Sequence, residues 1–389
     1  MLLQIISSIV AIIVFSGFRT TENIFSSKAN EENDKIYRIS VLGLFSPNNI
    51  NISFPEKVFV KISNDYVLIQ KNKNITIKKH NDFFSLNINN KNYYTENISF
   101  YNDNKNPYYN KFTVSIQNKI TRQYHGGLKI QNDDRKLKVI VLQNIEDYIL
   151  SVLSSEASAT GNEFLKAFSI IIRTYAISHQ NRHKNENFDF CDNTHCMVFY
   201  GETNKGEIFE LAVKSTNGKY LQYDNRPVDV YFSGSCGGKT KTPAEIWGTN
   251  NFIYPYKSIN CNYCYKDQHR NWSWKATNEE IQKLFLDCKK IIAFSIINNN
   301  QRNFCEIATT DNTIRLSVDE FRLLVGRTYG WNKIYSNNYN VLLTNNNIVF
   351  NGSGFGHTVG FCNSGALEMS KQGFNFSDII QYYYPKASF

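Results

Sequence analysis

The sequence has no long run of one charge and no basic arm: 43 Lys plus Arg against 34 Asp plus Glu leave a net charge of +9 spread over 389 residues. That balance leaves no nucleic-acid footprint and fits an anionic or merely solubilising surface. Proline is scarce, at 7 residues, and no low-complexity stretch follows residue 34, so no flexible joint divides the chain. No solenoid-type repeat recurs. Nucleotide loops are missing too. The glycines of "VFNGSGFGHTVGF" run GxGxG at the end of the chain with no βαβ unit after them, and "YFSGSCGGKT" lacks P-loop spacing. The latter stretch also puts Cys where a GxSxG serine elbow needs Gly. What is present is 42% hydrophobic sequence, enough for the cores of one large or two to three ordinary domains.

The first residues, "MLLQIISSIVAIIVFSGF", are apolar but too short to span a membrane comfortably, and polar sequence follows to residue 34. The segment reads as an export signal. It has no Lys or Arg before the apolar run and no clean cleavage triplet, so a retained membrane anchor stands beside that reading, as does a buried first strand. From 35 to 143, short alternating runs such as "YRISVLGLF", "VFVKIS", "FTVSIQ" and "LKVIVLQ" are separated by Asn, Asp and Gly turns, which predicts a β-rich region. From 144 to 389 the pattern is mixed. One helix is expected after Asn144, with Glu146 and Asp147 in its first turn. Another is expected near Thr160, where Thr160 and Glu163 match a capping box, burying Phe164, Phe168, Ile171, Ile172 and Tyr175. A third is expected over "SVDEFRLLVG". The fold class is α+β: a β-rich N-terminal half, then a mixed region with a cleft.

Ile145, Tyr148, Ile149, Val152 and Leu153 lie on one helix face, and the next position on that stripe is Glu156. An apolar setting and the negative end of the helix both disfavour the carboxylate, raising its pKa into the range of a general acid. The other reading is a fraying helix end whose Glu turns to water. Arg173, beside apolar positions, either holds an anionic substrate group or pairs with a carboxylate such as Glu156 or Glu245. "HKNENFDFCDNTHCMVFYG" gathers His183, Cys191, His195 and Cys196 into one polar loop, a set open to tetrahedral zinc, a disulfide or free thiols. Cys261 and Cys264 form a CxxC knuckle without a second one. Cys288 and Cys305 offer a further pair, and Cys236 and Cys362 have no assignable partner. Lys239 follows a Gly-Gly turn that could present a cation, and the tail glycines allow close backbone approach that places His357 at a surface cleft.

Taken in order, "YHGGLKI", "NIEDYILSVLSSEASA", "LKAFSIIIRTYAISH", "FDFCDNTHCMVFYG", "VDVYFSGSCGGKTKTPAEIWG", "PYKSINCNYC", "FRLLVGRTYGWNKI" and "GSGFGHTVGFCNSGALEMSKQGFNFSDIIQYYYP" resemble the SpoIID/LytB family, over about residues 37–385. This is the stage II sporulation protein D and amidase-enhancer group that acts on peptidoglycan. The resemblance implies an exported lytic transglycosylase acting on glycan strands freed of stem peptides. Glu156 matches the family's catalytic glutamate and would act alone as acid and base to leave 1,6-anhydro ends. By the same carry-over Arg173, Tyr231, Lys239 and His357 fall in substrate-binding motifs. Cys191, His195 and Cys196, with His183 as fourth ligand, match a loop that holds structural Zn2+ in some members. A non-catalytic glycan-binding enhancer of a cell-wall amidase is the alternative the family offers. The chain departs from the family pattern in having "SEASAT" without a Pro around Glu156, and Asn363-Ser364-Gly365 where many members have Gln, an aromatic residue and Gly.

Overall fold

The computed structural model describes residues 35–389 apart from 63–64, 103, 105–107, 109, 134–135, 159, 203–204, 287, 300–301 and 346. The apolar N-terminal segment, read as signal or anchor, lies outside the described residues. Among the described residues, no helix is long and apolar enough to cross a membrane. The protein is α+β and divides into two compact units. One holds the chain up to Glu156 with Gln180–Gly218, the other Ala157–His179 with Lys219–Phe389.

The first unit is built on a twelve-stranded sheet. Alternation drives it: in Ile36–Val41 every second side chain is buried, placing Tyr37, Ile39 and Val41 in the core. The 14-residue strand Ile120–Asp133 pairs along its first half with Asn110–Ile116 and along its second with Lys136–Asn144. Lys136–Asn144 runs into helix α1 (Ile145–Glu156), which starts where Asn144 Oδ1 accepts the Asp147 N–H at 2.9 Å. Helix α1 buries Ile145, Tyr148, Ile149, Val152 and Leu153. Tyr148 stacks on Phe190 and Phe199, with ring centres 5.0 and 5.7 Å away. The two-residue strand Phe190–Cys191 adds to the sheet parallel to Ile36–Val41, pairing Ser40 with Cys191.

The second unit contains helix α2 (Asn162–Ser178), buried from Phe164 to Ile177 except at Lys166. The expected capping box at Thr160 is not formed. The N-cap is Gly161, which has no side chain, so Thr160 lies one residue too early to cap, and the Glu163 carboxylate instead accepts the Phe376 N–H at 2.8 Å and pairs with Lys166 at 2.6 Å. Helix α3 (Glu207–Ser215) belongs to the first unit and packs beside α1. Short helices α4 (Pro243–Trp247) and α5 (Asn278–Gln282) and the longer α6 (Val318–Tyr329) each begin with a complete capping box, from Thr242, Thr277 and Ser317. Two three-stranded antiparallel sheets, one of Trp272–Thr277, Asn347–Gly352 and Tyr339–Leu343 and one of Ile291–Asn299, Arg302–Thr309 and Thr313–Ser317, share a core around Phe294, Phe321 and Phe350. Cys288 and Cys305 are free thiols rather than a pair. Cys305 is buried in that core beside the Tyr339 hydroxyl. A parallel pair, Phe232–Ser233 with Phe361–Cys362, leads into α7 (Asn363–Lys371) and α8 (Phe376–Tyr383).

Candidate functional site

Glu156 ends α1 on its apolar face and remains partly exposed. Its Oε1 accepts the Val198 N–H at 2.6 Å, and the preceding Ser155 Oγ accepts the Tyr200 N–H at 3.0 Å. The segment 198–200 is thereby pinned across the end of the helix. Burial of the carboxyl raises the Glu156 pKa to about 7, against the opposing pull of the Val198 N–H. A group poised there both donates and accepts a proton near neutral pH.

Two residues before Val198 stands Cys196, one of four converging ligand groups. The ligand atoms of His183, Cys191, His195 and Cys196 all lie within 4.8 Å of one another. Cys196 Sγ is 3.3 Å from His183 Nε2 and 3.8 Å from His195 Nδ1, and Cys191 Sγ is 3.8 Å from the same Nδ1. A tetrahedral zinc with ordinary bond lengths sets its S···N edges at about 3.5 Å, so these residues fit one such ion. His183 is already oriented for it, since its other ring nitrogen lies 2.6 Å from Glu186 Oε1. The loop is braced from the sheet: Asp192 accepts the Leu42 N–H at 2.8 Å and pairs with Arg122 at 2.7 Å, and Asp189 pairs with Arg38 at 2.9 Å.

The remaining expected residues are in the second unit. Arg173 is 1% exposed and donates to the Lys219 carbonyl at 3.0 Å, tying α2 to the chain that follows it. Lys239 is exposed on the turn after Gly238, bridged through its backbone to Asn260. Tyr231 and His357 are partly exposed and meet in an aromatic group with Trp247, whose ring centre is 4.8 Å from Tyr231 and 5.3 Å from His357. Phe252 and Tyr256 complete it at 6.0 and 6.1 Å from Tyr231. Burial, with the Arg322 charge adding to it, lowers the His357 pKa to about 3, so this ring is neutral, and its Nδ1 accepts the Val359 N–H at 3.0 Å. The tail glycines do bring backbones together: Gly354 has φ +92°, and a Cβ there would sit 2.6 Å from the Ser235 carbonyl.

Sequence reasoning missed Trp247, Phe252 and Tyr256, which join Tyr231 only through the fold. It also missed a pocket lined by Lys241, Lys257 and Lys386 with Tyr256. A third omission is that Cys236 and Cys362 lie beside Cys261 and Cys264.

Residues 133–223, which include Glu156 and the whole Cys/His loop, match the family described as Stage II sporulation protein, SpoIID. Over these residues the chain is similar to the SpoIID/LytB family. It is 26% identical over 359 residues to an uncharacterised protein of Brachyspira hyodysenteriae, covering 90% of this chain and 92% of that one. It is 25% identical to the stage II sporulation protein D of Bacillus subtilis over 62% of this chain and 72% of that protein. The amidase enhancer of the same organism is 22% identical over 60% of this chain but only 39% of its own greater length.

Proposed function

We propose that this SpoIID-like protein works outside the cytoplasm as a peptidoglycan lytic transglycosylase, cutting peptide-free glycan between MurNAc and GlcNAc with Glu156 as the single acid and base. The observation that carries the reading is the carboxyl of Glu156, buried enough to titrate near 7, still partly exposed, and held by the Val198 N–H at 2.6 Å. In the first half of the reaction the Glu156 carboxyl gives its proton to the glycosidic oxygen as the C1–O bond breaks. In the second half the carboxylate takes the proton of the muramyl 6-hydroxyl as that oxygen bonds to C1 of the same sugar. The proton returns to Glu156, no water is consumed, and the product ends in 1,6-anhydro-MurNAc. A paired glycosidase needs a second carboxylate for water or for a covalent intermediate; this internal attack does not.

Zn2+ in the Cys/His loop would supply structure rather than an activated water, because four protein ligands close the tetrahedron. Its place is to fix the loop from which Val198 holds the acid. Tyr231, Trp247 and His357 are the stacking surface for sugar rings, and Lys239 and the pocket lysines suit the carboxylates of the muramyl lactyl groups. Arg173 acts at one remove, by fixing α2.

The test is mass spectrometry of soluble products from peptide-free glycan strands. Wild type should release anhydro-muramyl ends and Glu156→Gln none; reducing ends from the wild type would instead indicate hydrolysis. The name of the Bacillus amidase enhancer favours one second reading, a glycan-binding activator of a cell-wall amidase. In that case neither protein cleaves strands, and Glu156→Gln stimulates the amidase as well as wild type does.

A further inference from the structure

Four cysteines of the second unit, on three separate segments, converge in its interior. Cys236 sits in the glycine turn after strand Phe232–Ser233, Cys261 and Cys264 flank the start of a single 3-10 turn, and Cys362 caps helix α7. All four are buried, at 0, 3, 1 and 0% exposure. Their sulfurs lie within 4.8 Å of one another, with Cys236 and Cys264 at 3.6 Å. A disulfide would join two of them at about 2.05 Å and leave the others aside. The observed arrangement instead gives every sulfur three sulfur neighbours, as in a tetrahedron. Four thiolates at about 2.3 Å from one zinc lie about 3.8 Å apart.

We infer that Cys236, Cys261, Cys264 and Cys362 bind one Zn2+ in an all-thiolate structural site, separate from the Cys/His loop.

The surroundings are those of thiolates. Cys362 Sγ accepts the Cys236 N–H at 3.2 Å and the Gly365 N–H at 3.4 Å, the latter in the first turn of α7, where the helix dipole favours negative charge. The Tyr383 hydroxyl lies 3.3 Å from Cys261 Sγ. Such outer hydrogen bonds orient and stabilise metal-bound sulfur. The space is sized for a single ion: a Cβ on Gly365 would stand 2.7 Å from Cys261 Sγ, and sulfurs this close leave no room for the irons and sulfides of a cluster. The ion would cross-link the turn that presents Lys239, the segment bridged to it through Asn260, and the start of α7. Strand pairing in this region is short, two residues of Phe232–Ser233 and single bridges such as Lys239 with Asn260, and that link would add to it. The site is independent of the transglycosylase reading.

The experiment uses the full-length chain, purified without chelator and under reducing conditions, with metal content by plasma mass spectrometry and zinc K-edge X-ray absorption. Two occupied sites predict two zinc ions per chain and an average shell of three sulfurs and one nitrogen. One zinc per chain in four sulfurs would uphold this site and count against the Cys/His one. One zinc with two sulfurs and two nitrogens would overturn it. So would iron at that stoichiometry, or, in a second preparation made without reductant, disulfides among these four cysteines. The double variant Cys236→Ser/Cys362→Ser should fall from two zinc ions to one, its remaining shell shifting to two sulfurs and two nitrogens; unchanged zinc content overturns the assignment. Should the variant fail to fold, the wild-type spectrum alone decides.

Discussion

Replacing Glu156 by Gln changes one proton and little else. The amide keeps an oxygen for the Val198 N–H, so the 198–200 segment stays docked on α1. What is lost is acid catalysis, worth about 100- to 10,000-fold, so strand cleavage should fall by at least about 100-fold. The same variant tests the pKa through stability. Burial raises the wild-type carboxyl from its ordinary 4.5 to about 7, which corresponds to about 3 kcal/mol between its protonated and ionised forms. Between those two pH values the native protein keeps a proton that the unfolded chain has released. The contribution of Glu156 to stability is therefore full below pH 4.5, falls as pH rises to about 7, and is level above it. Gln is neutral throughout. Urea unfolding at pH 4 and pH 8 should show Glu156→Gln gaining on wild type by up to about 3 kcal/mol at the higher pH. Wild-type cleavage should decline above pH 7 as the acid form is depleted. A stability difference identical at both pH values would refute the claim that the carboxyl is held protonated, whatever the activity showed.

Glu186→Gln removes the carboxylate that orients His183, and zinc affinity of the Cys/His loop should drop about 10- to 100-fold, read by competition with a chromophoric chelator. Asp192→Ala leaves the Arg122 guanidinium, whose side chain is only 12% exposed, without its ion pair and frees the Leu42 N–H. It should destabilise the protein by about 3 kcal/mol in urea titration, and a loss below about 1 kcal/mol would mean that water replaces the pair. Trp247→Ala takes away the ring facing both Tyr231 and His357 and should weaken binding of soluble glycan about tenfold by calorimetry without altering the fold.

The parts of the site that were legible in the sequence are those whose signal is local. The stripe ending at Glu156 shows itself because a helix repeats every 3.6 residues, and one anomalous carboxylate stands out against five apolar neighbours. The Cys/His loop was readable because its four candidate ligands fall within His183 to Cys196. The all-cysteine set was not, since Cys236 and Cys362 are 126 residues apart and only the parallel pairing of Phe232–Ser233 with Phe361–Cys362 brings them together. Trp247 and Tyr256 escaped for the same reason: an isolated aromatic residue gives no sign of which ring it will meet. Thr160 failed as a cap because the N-cap falls one residue later, at Gly161, and Glu163 is engaged instead by the distant Phe376 N–H. The α+β class followed from alternation before residue 144 and helical spacing after it.

The pairing of Ser40 with Cys191 sets an order of events for a chain that emerges N-terminus first. Arg38 must wait for Asp189, 151 residues later, before the outer edge of its strand is covered. Contacts of such long sequence separation form late, because the loop between them has to be closed first. The Val198 N–H closes a loop of only 42 residues onto Glu156, so it should gain protection before the Arg38–Asp189 contact is made, a sequence that pulsed hydrogen exchange during refolding would reveal. A glutamate clamped from 42 residues downstream is timed by folding: the freshly released polypeptide carries the Glu156 carboxyl from the start, yet the group is without its clamp until residue 198 has folded back onto α1.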